Sequence, residues 1–345
     1  MRVGIFLPNW IGDVVMATPA IRALRKLFGT RGQLIGIMRP YVADVLDGTN
    51  WLDERIFYDK QPGRLASRED YRKLRAARLD RIVLLTNSLR TAWMAWRSGA
   101  RERIGYAGDM RAWLLTSRVR RSRSPMSTLD GYLQMAVAAG AVAVSRRLEI
   151  ATTPADEHAA DDVWQSLGLP AGGRVVMLNS GGAYGAAKHW PAEYFAELAR
   201  RIVADGRYSV LVNCGPAERP IAQEITARAN DPRVVSLARH ETLPIGLTKA
   251  CVRRSKLVVS TDSGPRFFAI AFGKPVVTLF GPTNPAATET NYVGEISLSL
   301  GLDCQPCMAR ICPLGHHRCL RELSVDRVYA AVHQALIKET AAGAA

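Results

Sequence analysis

The sequence predicts an α/β chain built on doubly wound parallel sheets, and three observations carry that expectation. Short apolar, β-branched runs recur along the 345 residues; nearly every run closes in a small polar or Gly-rich turn; and the turns lead into stretches with apolar residues at helical spacing. Strands that alternate with helices in this way belong to parallel sheets covered on both faces. The length is more than one ordinary core takes up, so two Rossmann-like domains facing a cleft are expected, 1–155 and 156–345. The last helix is free to pack back on the N-terminal domain.

In order, residues 3–7 form a continuous apolar strand, and the turn Pro8-Asn9-Trp10-Ile11-Gly12-Asp13 opens a helix with Val14, Val15, Ala17, Ile21, Leu24 and Leu27 on its apolar face. That turn lacks the G-x-G-x-x-G spacing, so no nicotinamide or flavin site is indicated. It holds one carboxylate, Asp13, at the end of the first strand, where the loops of an open sheet face its ligand; an ordinary first-turn acid is the alternative. Strands follow at 34–38, 55–58 and 81–86, with helices at 68–77, 89–96 and 129–139. Asn87 and Ser88 close the last of these strands with loop and capping chemistry. Trp93 and Trp96 suit packing better than a ligand platform.

The pattern breaks between residues 144 and 154, and the α/β rhythm then repeats. Helices are expected to about 167 and at 192–204, 221–229, 243–251 and 325–337, with strands at 175–178, 209–213 and 234–237. Residues 257–282 make one βαβ unit in which Thr261-Asp262-Ser263-Gly264 separates two buried strands by a helix. Backbone N–H groups and the dipole at that helix start favour an anion. Simple capping by Asp262 and Ser263 is the competing reading. The loop 179–191, with Gly181, Gly182, Tyr184, Gly185 and Lys188, offers glycines plus a cation, which suits a diphosphate, although it lacks the ending of a Walker A loop. Glu218, after the strand at 209–213, is placed to meet sugar hydroxyls.

Composition narrows the function classes. Hydrophobic content is 48% and no apolar run could span a bilayer, so a soluble cytoplasmic protein is expected, and the N-terminus does not read as a signal peptide. The net charge of +15 is uneven: residues 1–150 hold 26 Lys and Arg against 13 Asp and Glu. A basic half suits nucleic acid, an anionic membrane surface or a polyanionic substrate, with Arg118, Arg120, Arg121 and Arg123 the densest part. Four of the six cysteines lie as Cys304, Cys307, Cys312 and Cys319, with His316 and His317 between. A structural zinc is one reading of them; reduced thiols or a bridge is the other.

Taken together, PNWIGDVVMATPAIRAL, LTNSLRTAWMAWRSGARERIGY, GGAYGAAKHWP, STDSGPRFFAIAFGKPVVTLFGPTNP and CQPCMARICPLGHHRC resemble the lipopolysaccharide heptosyltransferases of glycosyltransferase family 9, closest to the heptosyltransferase II branch. The resemblance implies a B-type glycosyltransferase fold and transfer of heptose, with inversion and without metal, from an ADP-sugar to a lipid A-core acceptor. It implies an N-terminal acceptor domain, a C-terminal ADP-heptose domain and work at the inner face of the cytoplasmic membrane. Asp13 matches the general base and Lys188 the donor-phosphate lysine. Gly182, Tyr184, Asp262, Ser263 and Gly264 fall in the donor loops, with Glu218 and Leu243 near ribose and adenine. Asn9, Trp10, Gly12, Asn87, Ser88, Arg90 and Arg120 fall on the acceptor side. One position departs: where the family pattern has a His five residues beyond the Asp, this chain has Phe267 preceded by Arg266. Either Arg266 supplies the missing charge to the phosphates, or donor choice or activity has drifted, to another nucleotide sugar or acceptor on the same fold. Asp13 and Lys188 together argue against a non-enzymatic polyanion or nucleic-acid binder.

Overall fold

The computed structural model describes residues 1–342 except 30–31, 60–64, 123, 143–144 and 183, and describes no side chains from 338 onward. Arg123 of the basic cluster therefore lies outside the described residues. The chain divides into two units: Met1–Ala151 with Ala286–Thr290, and Thr152–Pro285 with the chain from Asn291 onward.

In the first unit, β1 (Arg2–Phe6), α1 (Ile11–Phe28), β2 (Gln33–Met38), β3 (Glu54–Phe57), α2 (Arg68–Ala76), β4 (Arg81–Leu84), α3 (Leu89–Arg97), β5 (Glu102–Tyr106), β6 (Ser117–Val119) and α4 (Thr128–Ala138) follow one another. Every pairing is parallel, and the strand order is β3-β2-β1-β4-β5-β6. The order reverses between β1 and β4, so the loops after these two strands diverge and leave a crevice at their carboxyl ends. Phe6, Ile35, Ile37, Ile82 and Leu84 from the strands pack with Ala92, Met94 and Leu114 into one apolar cluster. The helix α1 runs through Pro19 without breaking, and Thr18 Oγ1 donates to the Val15 carbonyl at 2.7 Å.

The second unit holds α5 (Pro154–Ser166), β7 (Val175–Asn179), α6 (Ala192–Val203), β8 (Ser209–Asn213), α7 (Arg219–Ala229), β9 (Val234–Ser236), α8 (Ile245–Arg254), β10 (Leu257–Thr261), α9 (Gly264–Ala271), β11 (Val276–Leu279), β12 (Glu295–Leu298), α10 (Arg318–Arg321) and α11 (Val325–Ala342). Its sheet, β12-β11-β10-β7-β8-β9, is again wholly parallel and repeats the topology of the first, with the reversal between β7 and β10. Ser260 pairs with Asn179, so the loops after β7 and β10 start side by side.

Three strands escape the sequence pattern. β5, β6 and β12 carry Glu102, Arg103, Arg118 and Glu295 among few apolar residues, and β6 and β12 are sheet edges with one side open. The last helix, α11, lies on α6 and on β10, β11 and β12 of its own sheet, with Val328 and Val332 buried. Among the described residues no helix is long and apolar enough to cross a membrane.

Candidate functional site

The strand β10 is fully buried, apolar at Leu257, Val258 and Val259 and polar at Ser260 and Thr261, and Asp262 follows it. A buried carboxylate costs several kcal/mol unless it is paired, on the order of what charge desolvation imposes. Asp262 is paired on both oxygens: Oδ2 accepts from Lys188 Nζ at 2.8 Å and from Thr283 Oγ1 at 2.7 Å, and Oδ1 accepts from Arg266 Nη1 at 3.0 Å. Burial works to raise its pKa, but the Lys188 and Arg266 charges and the Lys188 and Thr283 hydrogen bonds outweigh it and hold the carboxyl below its ordinary value. Lys188 Nζ also donates to the Asp262 carbonyl at 2.6 Å and sits 4.6 Å from the Tyr184 ring centroid.

Arg266 is engaged within the chain. It is 1% exposed, Nε donates to Glu295 Oε1 at 2.6 Å, Nη2 donates to Oε2 at 3.1 Å, and its guanidinium lies 4.7 and 4.9 Å from the Phe267 and Phe280 ring centroids. Thr278 Oγ1 completes the Glu295 site at 2.6 Å. The guanidinium is thus paired with two carboxylates, Asp262 and Glu295, and supports Asp262. Phe267, buried at its side, fills core volume.

Capping is decided as well. Ser263 precedes α9, but its side chain caps no amide of that helix; its hydroxyl accepts from Asn179 Nδ2 at 2.8 Å and lies 3.2 Å from Ser260 Oγ. Asp262 is spent on the two cations and Thr283. The N-cap side chain thus leaves the start of α9 uncapped, the arrangement that suits an anion. Asn179 also donates to the Gly181 carbonyl at 3.1 Å and accepts from Asn213 Nδ2 at 2.7 Å, so the ends of β7, β8 and β10 are tied together. Sequence reasoning missed Asn179, Asn213, Thr283 and Glu295; the available signal was an amide closing each of two buried apolar strands.

The glycines have steric reasons. A Cβ on Gly181 would lie 2.1 Å from the Glu218 carboxyl carbon, and one on Gly182 would lie 3.3 Å from Ser263 Cβ. Glu218 thus lies against the first glycine, with Oε2 accepting from the Gly215 N–H at 2.8 Å. Gly185, at φ 147°, lets the Arg310 backbone approach, and the Ala187 N–H donates to the Arg310 carbonyl at 3.0 Å. Leu243 stands two residues before α8 on a segment held by Arg219, which donates to the Ala238 and Glu241 carbonyls at 2.7 and 2.6 Å. Gly182, Tyr184, Lys188, Glu218, Asp262, Ser263 and Gly264 thus gather at the β7/β10 end, and Leu243 sits outside that group.

The Cys-rich segment braces this edge. The Met308 N–H donates to the Pro282 carbonyl at 2.8 Å, Gln305 Nε2 to the Gly281 carbonyl at 2.7 Å, and Tyr184 Oη to the Met308 carbonyl at 2.5 Å. Cys304, Cys307, Cys312, Cys319, His316 and His317 line one small cavity against Ala187 and Pro282. All six thiols are free. The geometry lends the zinc reading no support: among the described residues no three His, Cys, Asp or Glu side chains are grouped to hold a metal ion. The N–H groups of His317, Leu314, Gly315 and His316 point at Cys312 instead and draw its pKa down, hydrogen bonds that a loop turning around one sulfur makes for itself.

In the first unit, Asp13 lies in the first turn of α1, whose preceding residue Trp10 provides no side-chain cap. Tyr132 of α4 hydrogen-bonds Asp13; desolvation, then the Asp13 charge and that bond, raise the phenol well above its ordinary value. Asn9 is held by Tyr41, which donates to its carbonyl, and by Tyr58, which donates to Oδ1 at 3.2 Å. Burial foremost pushes the Tyr58 phenol up to about 12. At the end of β4, buried Arg111 donates to the Thr86 carbonyl at 2.7 Å and to Asn87 Oδ1 at 2.9 Å. Ser88 caps α3, its Oγ accepting from the Thr91 N–H at 3.2 Å, so that hydroxyl has a structural task. Asn9, Trp10, Gly12 and Asp13 sit on the loop after β1, and Asn87, Ser88 and Arg90 follow β4, the two strands at the reversal. Arg120 stands apart, exposed beyond β6.

Comparison with known proteins agrees with this frame. The chain is 25% identical to lipopolysaccharide heptosyltransferase 2 of Salmonella typhimurium over 98% of its own length and 99% of that protein. Its fold matches a family 9 glycosyl transferase from Veillonella parvula (TM-score 0.84, 24% identity, covering 98% of this chain and 97% of that one) and E. coli ADP-heptose lps heptosyltransferase II (TM-score 0.81, 21% identity, covering 99% and 100%). The family model described as glycosyltransferase family 9 (heptosyltransferase) matches residues 68–317, from α2 through the whole β7/β10 edge to the Cys-rich segment, and the chain belongs to that family of glycosyltransferases.

Proposed function

We propose that this glycosyltransferase moves a heptose from an ADP-sugar to the inner core of a lipopolysaccharide, with the first unit taking the acceptor and the second the donor. The observation that carries the donor side is the start of α9, where the Ser263 and Asp262 side chains are both engaged elsewhere, Pro265 has no N–H, the Arg266 N–H donates to the Ser263 carbonyl at 3.2 Å, and the Gly264 N–H heads the helix. A diphosphate there receives the Gly264 N–H, the helix dipole and Lys188. Two of the three ammonium hydrogens of Lys188 go to Asp262, and the third serves a phosphate oxygen. Glu218, lying along Gly181, accepts from ribose hydroxyls, and the segment at Leu243 borders the adenine. The names of the relatives, which specify heptose, ADP and lipopolysaccharide, support these substrates.

The reaction is a displacement with inversion. The acceptor hydroxyl oxygen forms a bond to the anomeric carbon while the bond from that carbon to the diphosphate oxygen breaks, and ADP leaves with the electron pair. Asp13 takes the hydroxyl proton. Lys188 and the Gly264 N–H meet the charge that grows on ADP, so charge on the leaving group is answered by the chain itself. Asn9, Trp10, Gly12, Asn87 and Arg90 border the acceptor, with Arg120 contacting its acidic periphery at a membrane face.

The competing reading, a different nucleotide sugar, rests on Phe267 in place of the family's His. The test of both is incubation with ADP-heptose, ADP-glucose and UDP-sugars in the presence of a heptose-deficient lipopolysaccharide core, with product mass and nucleotide release measured. Heptose addition from ADP-heptose alone is expected; turnover of another donor in preference overturns the substrate assignment.

A further inference from the structure

The first unit leaves an unusual amount of aromatic surface in water. Trp93, Trp96 and Trp113 form one cluster, with ring centroids 5.0, 6.1 and 6.5 Å apart, yet Trp96 is 41% exposed, Trp113 61% and the neighbouring Met110 87%. These side chains are held, not dangling. Arg111, between Met110 and Trp113, is buried and fixed to the carbonyls of Tyr106 and Thr86 and to Asn87, and Trp113 Nε1 donates to the Met110 carbonyl at 2.9 Å. The indole N–H is satisfied within the loop, so the ring can leave water without stranding a donor.

The surroundings are cationic. Residues 89–122 contain eight Arg against two acids, Glu102 and Asp109. Glu102 is neutralised by Arg81 at 2.5 Å, which leaves Asp109 as the acid of the exposed loop. The Ala107 N–H donates to the Val119 carbonyl at 2.8 Å, and Arg121 lies 5.4 Å from the Tyr106 ring centroid, so the end of β6 with exposed Arg118, Arg120 and Arg121 runs beside the base of that loop.

Clustered tryptophans and a methionine beside a predominantly cationic rim, with Asp109 its one acid, fit an interface that is apolar within and anionic at its face. We infer that the Trp96, Met110 and Trp113 patch is a membrane-docking surface that enters the headgroup region of an anionic phospholipid bilayer, with Arg118, Arg120 and Arg121 on the lipid phosphates. The inference deepens the proposed function, since a lipid-linked acceptor lies in such a bilayer, but the surface binds lipid whether or not acceptor is present. An acidic protein partner would use the same charges and would not need rings that enter acyl chains.

The experiment uses the full chain and vesicles of phosphatidylcholine mixed with anionic phosphatidylglycerol, free of acceptor and nucleotide sugar. Co-sedimentation with these vesicles, little with pure phosphatidylcholine, and quenching of tryptophan emission by lipids brominated on the acyl chains are expected. Trp96→Phe with Trp113→Phe should remove the quenching and keep the sedimentation. Met110→Ser with Trp113→Ser should weaken vesicle binding by roughly tenfold at an unchanged melting temperature. No quenching of the unaltered protein, or equal binding by the serine variant, overturns the inference. Sugar transfer to a detergent-dispersed acceptor is measured separately; its failure would strike the proposed function and leave the lipid result standing.

Discussion

Glu295 and Arg266 face each other as a bidentate pair, with Nε to Oε1 at 2.6 Å and Nη2 to Oε2 at 3.1 Å, both side chains largely out of water. Through Arg266 the pair reaches Asp262, and through Asp262 it reaches Lys188, so two cations and two carboxylates alternate in one row. Removing one member leaves its neighbour charged, buried and unpaired. Arg266→Ala should therefore cost about 3–5 kcal/mol of folding stability, the scale of a broken buried ion pair. Urea denaturation reads it. A loss below about 1 kcal/mol, the scale of an exposed pair, would show that water reaches the row.

Asp262 gives the row a pH signature. Its folded-state pKa is depressed below the ordinary value of 3.8, so its contribution to stability is fully present above that value and is lost as pH falls through the lower folded-state value. Asp262→Asn should be much less stable than the unaltered protein at neutral pH, and the gap should narrow only in strong acid, below the ordinary carboxylate range. Denaturation curves of both proteins across that range measure it; a gap that closes above pH 4 would contradict a depressed pKa.

Much of this arrangement is legible in the sequence, and the part that is not has a common cause. Continuous apolar strands such as Val175–Asn179 and Leu257–Thr261 announce themselves because a strand covered on both faces excludes polar residues. Asp262-Ser263-Gly264 and Lys188 stand out as polar chemistry at strand ends. Glu295, Thr283 and Tyr132 do not, because each reaches the site through sheet order or helix packing over a long stretch of chain. The ion pair of Arg266 is hidden for the same reason: a cation one turn into a helix gives no sign of the edge-strand carboxylate, Glu295, that it meets. β12 itself was missed because its Glu faces Arg266 and Thr278 in the interior, which breaks the apolar alternation that marks a strand.

Gly181 tests the placement of Glu218. Any side chain at 181 collides with the Glu218 carboxylate, since even a Cβ would lie 2.1 Å from its carboxyl carbon. Gly181→Ala should push Glu218 off its Gly215 contact and raise KM for the ADP-sugar by roughly ten- to hundredfold, the scale of a lost hydrogen bond to a charged group. KM for the acceptor should stay the same. Steady-state kinetics with each substrate varied in turn separates the two, and a rise in the acceptor KM alone would remove Glu218 from the donor side.

Asp13 and Tyr132 test the base. Asp13→Asn removes the proton acceptor and should lower kcat by roughly two to four orders of magnitude with ADP-sugar affinity nearly intact. Tyr132→Phe is the finer probe, because the phenol donates to the Asp13 carboxylate and a donor to the charged form favours that form. Without it the carboxyl holds its proton to higher pH, so the acid limb of the kcat profile should move upward while the neutral plateau changes little. A residue that only packed α4 against α1 would alter stability and leave that limb where it was. Measuring kcat from pH 4 to 8 for both variants decides: an unmoved limb in Tyr132→Phe, or full turnover in Asp13→Asn, would take the base away from Asp13.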